Sequence, residues 1–210
     1  MTDKNFFSCR RTLGFTLIET LLSITLLSAV AIGLFSFFTH AMTYTADNER
    51  RTVAINVARG TMAYFEKNVL FSSLSNYMTE NNLSFLKVEK NSCSHEALSS
   101  LLFPSGNQGE TISSQQSCTA QLAPTINDVQ YETTVYIIRC DQKGWDGFLT
   151  SSEFASLPER LKEEIRRERN NMISSEAGTY MAKLYAVVRW GERNGDITWV
   201  EGVVTDETIR

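Results

Sequence analysis

Histidine is nearly absent from this chain, with two in 210 residues, His40 and His95. That leaves too little for a Ser-His-Asp triad or a histidine-built metal centre. The G-x-x-x-x-G-K phosphate loop, the G-x-S-x-G nucleophile elbow and the H-E-x-x-H zinc pair are missing as well. No pair of carboxylates is singled out for acid–base work, so the chain is read as no enzyme and as needing no cofactor. Positive charge is also scarce. The net charge is -4 with a pI near 5.3, and the one concentrated basic stretch is IRRER at 165–169, so no footprint for direct nucleic-acid binding is present. Only three prolines occur, none before residue 104, which leaves the first half of the chain free to form long helices. With 42% hydrophobic residues, 210 residues suffice for one good-sized core and appendages.

What the chain has in abundance is one apolar run. Residues 15–38, FTLIETLLSITLLSAVAIGLFSFF, contain a single ionisable side chain, Glu19. As a helix the run spans about 36 Å, enough to cross a hydrocarbon layer of about 30 Å. Lys4, Arg10 and Arg11 outnumber Asp3 ahead of it. Such a basic flank keeps residues 1–14 cytoplasmic and sends the remainder outward.

Three readings compete for this run. A secretory signal peptide has a shorter apolar stretch followed by a small-residue cut site; here the stretch is too long, and Ala41 is the one conceivable site. A plain signal anchor fits length and orientation but leaves Glu19 unexplained, because an acid deep in a membrane helix costs on the order of 3 kcal/mol. A cut between Gly14 and Phe15 supplies the missing partner. It creates an α-amino group four residues from Glu19, and an amine beside a carboxylate neutralises a charge that neither carries cheaply in a low dielectric. Between axially staggered helices, the carboxylate of one then reaches the terminal amine of the next.

A short basic leader ending in Gly14, then FTLIE and a long apolar helix, resembles the type IV prepilin signal of pilins and of type II secretion pseudopilins. The resemblance implies that a prepilin peptidase cuts after Gly14, that Phe15 is N-methylated and that Glu19 guides assembly into a filament. It further implies a single-pass inner-membrane protein with a cytoplasmic N-terminus and a periplasmic head. The implied partners are other pilins or pseudopilins, the peptidase, an inner-membrane assembly platform and the membrane itself. The implied fold is α+β and pilin-like, a long N-terminal helix whose second half packs on a small antiparallel β-sheet head. Many major pilins carry a kinking proline late in the apolar segment; here only Gly33 is a weak point, so a straighter helix is expected.

The predicted organisation is a leader at 1–14, a transmembrane half-helix at 15–38, an amphipathic half-helix at 39–70 and a globular head at 71–210. In the second half-helix Val53, Val57, Thr61, Phe65 and Val69 recur at i, i+4 spacing and predict the head-packing stripe; Gly60 weakens the helix by about 1 kcal/mol without ending it. Residues 71–128 are rich in Ser, Asn and Gln with short apolar pieces at 83–88 and 98–103. They predict a long connection with one short helix around His95–Phe103.

Strands are expected beyond. VQYETTVYIIRC (129–140) alternates with period two, and YMAKLYAVVRW and ITWVEGVVTD flank GERNGD, whose Asn194-Gly195 pair signals a hairpin. Between them Ser156 and Glu159 frame a capping box around Pro158, and Leu157, Leu161 and Ile165 form an apolar stripe, which predicts a helix at 157–170. Its charges read as a solvated face with pairs such as Glu163 to Arg167. QKGWDGFLTSSEF (142–154) overlays part of a calcium loop through Asp146, Gly147, Leu149 and Glu153, but Gln142 and Gly144 fall at the first ligand positions. A glycine-rich strand-to-helix turn is the preferred reading.

Cys9 would leave with the leader, so Cys93, Cys118 and Cys140 remain in the head. One disulfide and one free thiol suit an oxidising periplasm. Cys93 with Cys118 is the preferred pair because both sit in the polar connection, though sequence leaves all three pairings open. Their spacings match no zinc pattern.

The leading function is a minor pseudopilin of a type II secretion system, a structural subunit of a periplasmic pseudopilus. A mature length near 196 residues after a 14-residue leader resembles the J-type minor subunit in size. The alternatives are a minor type IV pilin for adhesion, motility or DNA uptake, and a non-assembling membrane-anchored periplasmic protein.

Overall fold

The computed structural model describes residues 14–103, 113–171, 180–191 and 195–206. The expected leader as far as residue 13, with Cys9, and Asn194 of the expected turn lie outside the described residues. The chain divides into two units, residues 1–48 and 49–210, and helix α1, Leu17–Asn68, contributes to both. No proline interrupts α1, and it runs through Gly33 and Gly60 as 52 residues without a break.

In the first unit the α1 residues are apolar and exposed. Phe15, Leu17, Ile18, Leu21 and Leu22 begin a series of uncovered large side chains that continues to Tyr44. A helix apolar all round with nothing covering it belongs in lipid or against other helices, and its length and composition suffice to cross a membrane.

In the second unit α1 is followed by α2 (Phe71–Glu80), β1 (Phe85–Val88), a 3-10 turn (Lys90–Ser94), α3 (Glu96–Leu102) and α4 (Ser114–Leu122). Then come β2 (Thr125–Ile126), β3 (Val129–Gln130), β4 (Glu132–Arg139), α5 (Gln142–Leu149), α6 (Ser152–Ala155), α7 (Glu159–Asn171), β5 (Met181–Arg189) and β6 (Ile197–Thr205). Four strands form an antiparallel sheet in the order β1-β4-β5-β6, with Val135 opposite Ala186 and Ala186 opposite Val200. The α+β architecture matches the expectation.

Both faces of this sheet are covered. On one, Val135, Ile137, Leu184 and Ala186 pack against Met62 and Phe65 of α1, Leu74 and Met78 of α2, Leu102 of α3 and Leu122 of α4. On the other, Tyr136, Ile138, Tyr185 and Val187 meet Trp145, Phe148, Phe154, Leu161 and Ile165 from α5, α6 and α7. Burial on both faces explains why β4 and β5 read as nearly continuous apolar runs rather than strict alternations.

Several details depart from the sequence expectation. The buried line of α1 is Ala54, Ala58, Thr61, Met62 and Phe65, while Val53 and Val57 sit at its margin. Two alanines allow the helix to approach Tyr131 and Val188 closely, and larger side chains are displaced to the flank. Residues 71–128 are not a loose connection: α2, β1, the 3-10 turn, α3, α4 and β2 occupy it, and only the short helix near His95 was legible. The expected strand at 129–140 is split. β2 and β3 form a two-residue hairpin through Asn127 and Asp128, both at positive φ (50° and 60°), before β4 begins.

The region 142–154 is helical rather than a turn. Asp141 caps α5 by accepting the Gly144 N–H at 2.6 Å, and a Cβ at Gly144 would overlap the backbone of Arg139, so glycine lets α5 start directly on the strand end. The capping box at Ser156 is not formed. Its hydroxyl donates to the Glu153 carbonyl at 2.7 Å and closes α6, while the Pro158 carbonyl accepts the Lys162 N–H at the start of α7.

Candidate functional site: the N-terminal segment

Thr16 starts α1. Its Oγ1 accepts the Glu19 N–H at 3.4 Å and its carbonyl accepts the Glu19 and Thr20 N–H groups at 3.1 and 3.2 Å. Glu19 therefore lies in the first turn, where the positive end of the helix dipole favours a carboxylate. Gly14 and Phe15 precede the helix and are exposed, Phe15 at 77%, and nothing lies within 4 Å of a Cβ placed on Gly14.

Four hydroxyls of the apolar stretch, and that of Thr39 just beyond it, are satisfied inside the helix. Thr20 donates to the Leu17 carbonyl (2.8 Å), Ser23 to Glu19 (2.7 Å), Thr25 to Leu22 (2.8 Å), Ser28 to Ile24 (2.7 Å) and Thr39 to Ser36 (2.8 Å). Such back-bonding spares the hydroxyls an unmet donor in hydrocarbon. The Glu19 carboxylate has no ion pair among the described residues. It is the ionisable side chain of residues 15–38, and in lipid such a group needs a partner from elsewhere.

In the head, Cys93 in the 3-10 turn and Cys118 in α4 form a disulfide, with Cα atoms 5.6 Å apart. Cys140 is free and buried. Burial pushes its thiol up to about 11 despite the opposing hydrogen bond and charge of Lys183, which makes it a poor nucleophile.

The charges of α7 do more than face solvent. Glu168 pairs with Lys183 of β5 and accepts the Tyr185 hydroxyl, Glu164 accepts the Trp199 indole N–H at 2.9 Å, and Arg166 lies over the Phe154 ring. Burial alone would lower the Lys183 pKa, but the hydrogen bonds and charges of Glu168 and Glu201 overcome it and the net shift is upward. Burial first, then Glu168, pushes the Tyr185 phenol upward too. Sequence reasoning missed this cluster. Its signal was Lys183 alone in an apolar strand opposite Glu164 and Glu168, which adjoin the Leu161–Ile165 stripe.

The calcium-loop residues do not converge. Asp146 pairs with Arg169 at 2.8 Å and Glu153 with Lys87 at 3.1 Å. Among the described residues no group of three or more His, Cys, Asp or Glu could hold a metal ion.

A family model described as the prokaryotic N-terminal methylation motif matches residues 9–35. That span takes in Gly14, Phe15 and Glu19, so the chain carries a type IV pilin-like prepilin signal on a helix long enough to anchor it in a membrane. No curated protein and no solved structure matches the chain.

Proposed function

We propose that this pilin-like protein is a minor pseudopilin of a type II secretion system, of the J type by size, cut after Gly14 by a prepilin peptidase and N-methylated on Phe15. The observation that carries the reading is Glu19: within the methylation motif, it is the acid on an exposed apolar helix where the hydroxyls of Thr20, Ser23, Thr25 and Ser28 are internally bonded. In the membrane its carboxylate meets the Phe15 α-amine of a neighbouring subunit, and the neutralised pair sets the stagger between helices. The head faces the periplasm, where the Cys93–Cys118 disulfide persists. The role is structural.

Mass spectrometry of the native chain tests the processing. A mature N-terminus at N-methylated Phe15 supports the reading, and an intact Met1 removes it. Glu19→Ala tests the assembly: the variant should still insert in the membrane but fail to co-purify with partner pseudopilins. Normal co-purification would overturn the mechanism.

A further inference from the structure

The sheet ends in a long edge strand whose outer side is open. The Trp190 N–H donates to the Asp196 carbonyl at 3.2 Å and the Asp206 N–H to the Tyr180 carbonyl at 2.8 Å. These two bonds bracket the β5–β6 ladder and fix its phase. Even-numbered residues of β6 bond to β5, and the peptide groups of Ile197, Trp199, Glu201, Val203 and Thr205 face outward. Val203 agrees, since its N–H donates to the Glu66 carboxylate at 3.2 Å. The other four outward peptide groups have no backbone partner among the described residues. β6, ITWVEGVVT, contains neither the proline nor the lysine that commonly blunts such an edge.

The first half of this edge lies in a trough. A cavity of about 540 Å³ borders Ile197–Trp199, walled by Arg51 of α1 on one side and by Arg160 and Arg167 of α7 on the other. All three arginines are exposed and form no ion pair among the described residues. Of the two acids that share the lining, Glu164 is already engaged by the Trp199 indole.

We propose that the outer edge of β6 at Ile197–Glu201 docks an extended acidic segment of a partner protein, which joins the sheet as a fifth strand. Main-chain hydrogen bonds give such strand addition its affinity and flanking side chains give it selectivity. Guanidinium forks on both walls match carboxylates that project alternately to the two faces of an added strand. A second copy of this chain is the poorer occupant, because two-fold pairing of β6 edges brings the arginine walls of both copies together. The inference stands on residues of the second unit alone and does not depend on how the N-terminus is processed.

Amide hydrogen exchange on the full chain in detergent micelles tests it, with a short synthetic peptide repeating Glu-Glu-Val-Val as the probe, which places carboxylates on both faces of an extended strand. The peptide should slow exchange at Ile197, Trp199 and Glu201, while a Lys/Val peptide of the same pattern should not. Arg51→Glu, Arg160→Glu and Arg167→Glu together should weaken the protection about tenfold, more at low salt than at high. A Glu/Val peptide N-methylated at every amide should protect nothing, because it has no N–H to donate to the strand. Absence of protection, equal protection by both charge types, protection appearing at β1 instead, or protection by the N-methylated peptide would each overturn the proposal.

Discussion

Lys183 of β5 and Glu168 of α7 form an ion pair on the sheet face that α7 covers, with the lysine side chain only 7% exposed. Glu168 also accepts the Tyr185 hydroxyl, and Glu201 of β6 holds the same ammonium from the outer side at 2.9 Å. Two donors therefore depend on one carboxylate, while the half-exposed Glu201 carboxylate is backed by water. Removing the inner acid leaves the buried ammonium to the half-exposed Glu201 alone and orphans the buried Tyr185 hydroxyl, whereas removing the outer one leaves both donors with Glu168. Glu168→Ala is expected to destabilise the head by about 3 kcal/mol, and Glu201→Ala by about 1 kcal/mol or less. Thermal unfolding followed by the fluorescence of Trp145, Trp190 and Trp199 measures both, and equal losses would show that the cluster does not anchor α7.

Alkaline pH should loosen the same face. The Cys140 thiol is raised from 9.0 to about 11, so between those values the unfolded chain releases a proton that the folded chain retains. Stability then falls as pH rises, by about 2 kcal/mol across that window. Tyr185, raised above its ordinary value of 10.0, acts in the same direction once the unfolded phenol ionises. Lys183, raised above 10.5, contributes fully below that pH and loses its contribution as pH climbs through the folded value. Denaturant titrations at stepped pH should show a decline beginning near pH 9 in the native sequence. Cys140→Ala, though less stable at neutral pH, should remove the first part of that decline and keep the later part.

How much of this was legible depended on whether a feature is local. The prepilin segment was, because Gly14, Phe15 and Glu19 follow one another within six residues and the apolar run is continuous. β5 and β6 were, because two segments rich in β-branched and aromatic residues flank an Asn194-Gly195 turn cue in adjacent sequence. The α1 stripe was shifted because an alanine line buries as well as a valine line when the partner is as large as Tyr131. The segment 71–128 was illegible because its order comes from distant contacts: Phe103 stacks on Tyr64 and Cys118 closes on Cys93, and neither leaves a periodic trace. The Asn127-Asp128 turn carried its cue in residues that tolerate positive φ, hidden inside what reads as one strand approach. The α7 charges looked solvated because only the fold brings Lys183, Tyr185 and Trp199 beneath them.

The Cys93–Cys118 bond spans a sequence separation of 25 and ties the 3-10 turn to α4. Closing a loop of that size in the unfolded chain removes entropy worth about 3 kcal/mol. Since α3 and α4 each bury few large side chains, the local effect should exceed the global one. Cys93→Ser with Cys118→Ser should lower the unfolding midpoint and raise hydrogen exchange in 90–122, leaving β4 and β5 protected until global unfolding. Uniformly raised exchange across β4 and β5 would mean that this segment and the sheet unfold as one unit.

The closeness of α1 to the sheet yields an opposed pair of substitutions on one helix. Ala58 is fully buried against Tyr131 and Val188, so no room exists for added methylenes. Ala58→Leu should cost about 1–3 kcal/mol through displaced packing. Gly60, two residues on, is exposed, and a Cβ there meets nothing within 4 Å. Gly60→Ala should therefore stabilise the head by about 1 kcal/mol, since it removes unfolded-chain freedom in a helix interior at no steric cost. Chemical denaturation of the two variants in micelles, read by tryptophan fluorescence, should move the midpoints in opposite directions. If both fall, residue 60 needs glycine's freedom, and a smooth helix through this point would be the wrong description of α1.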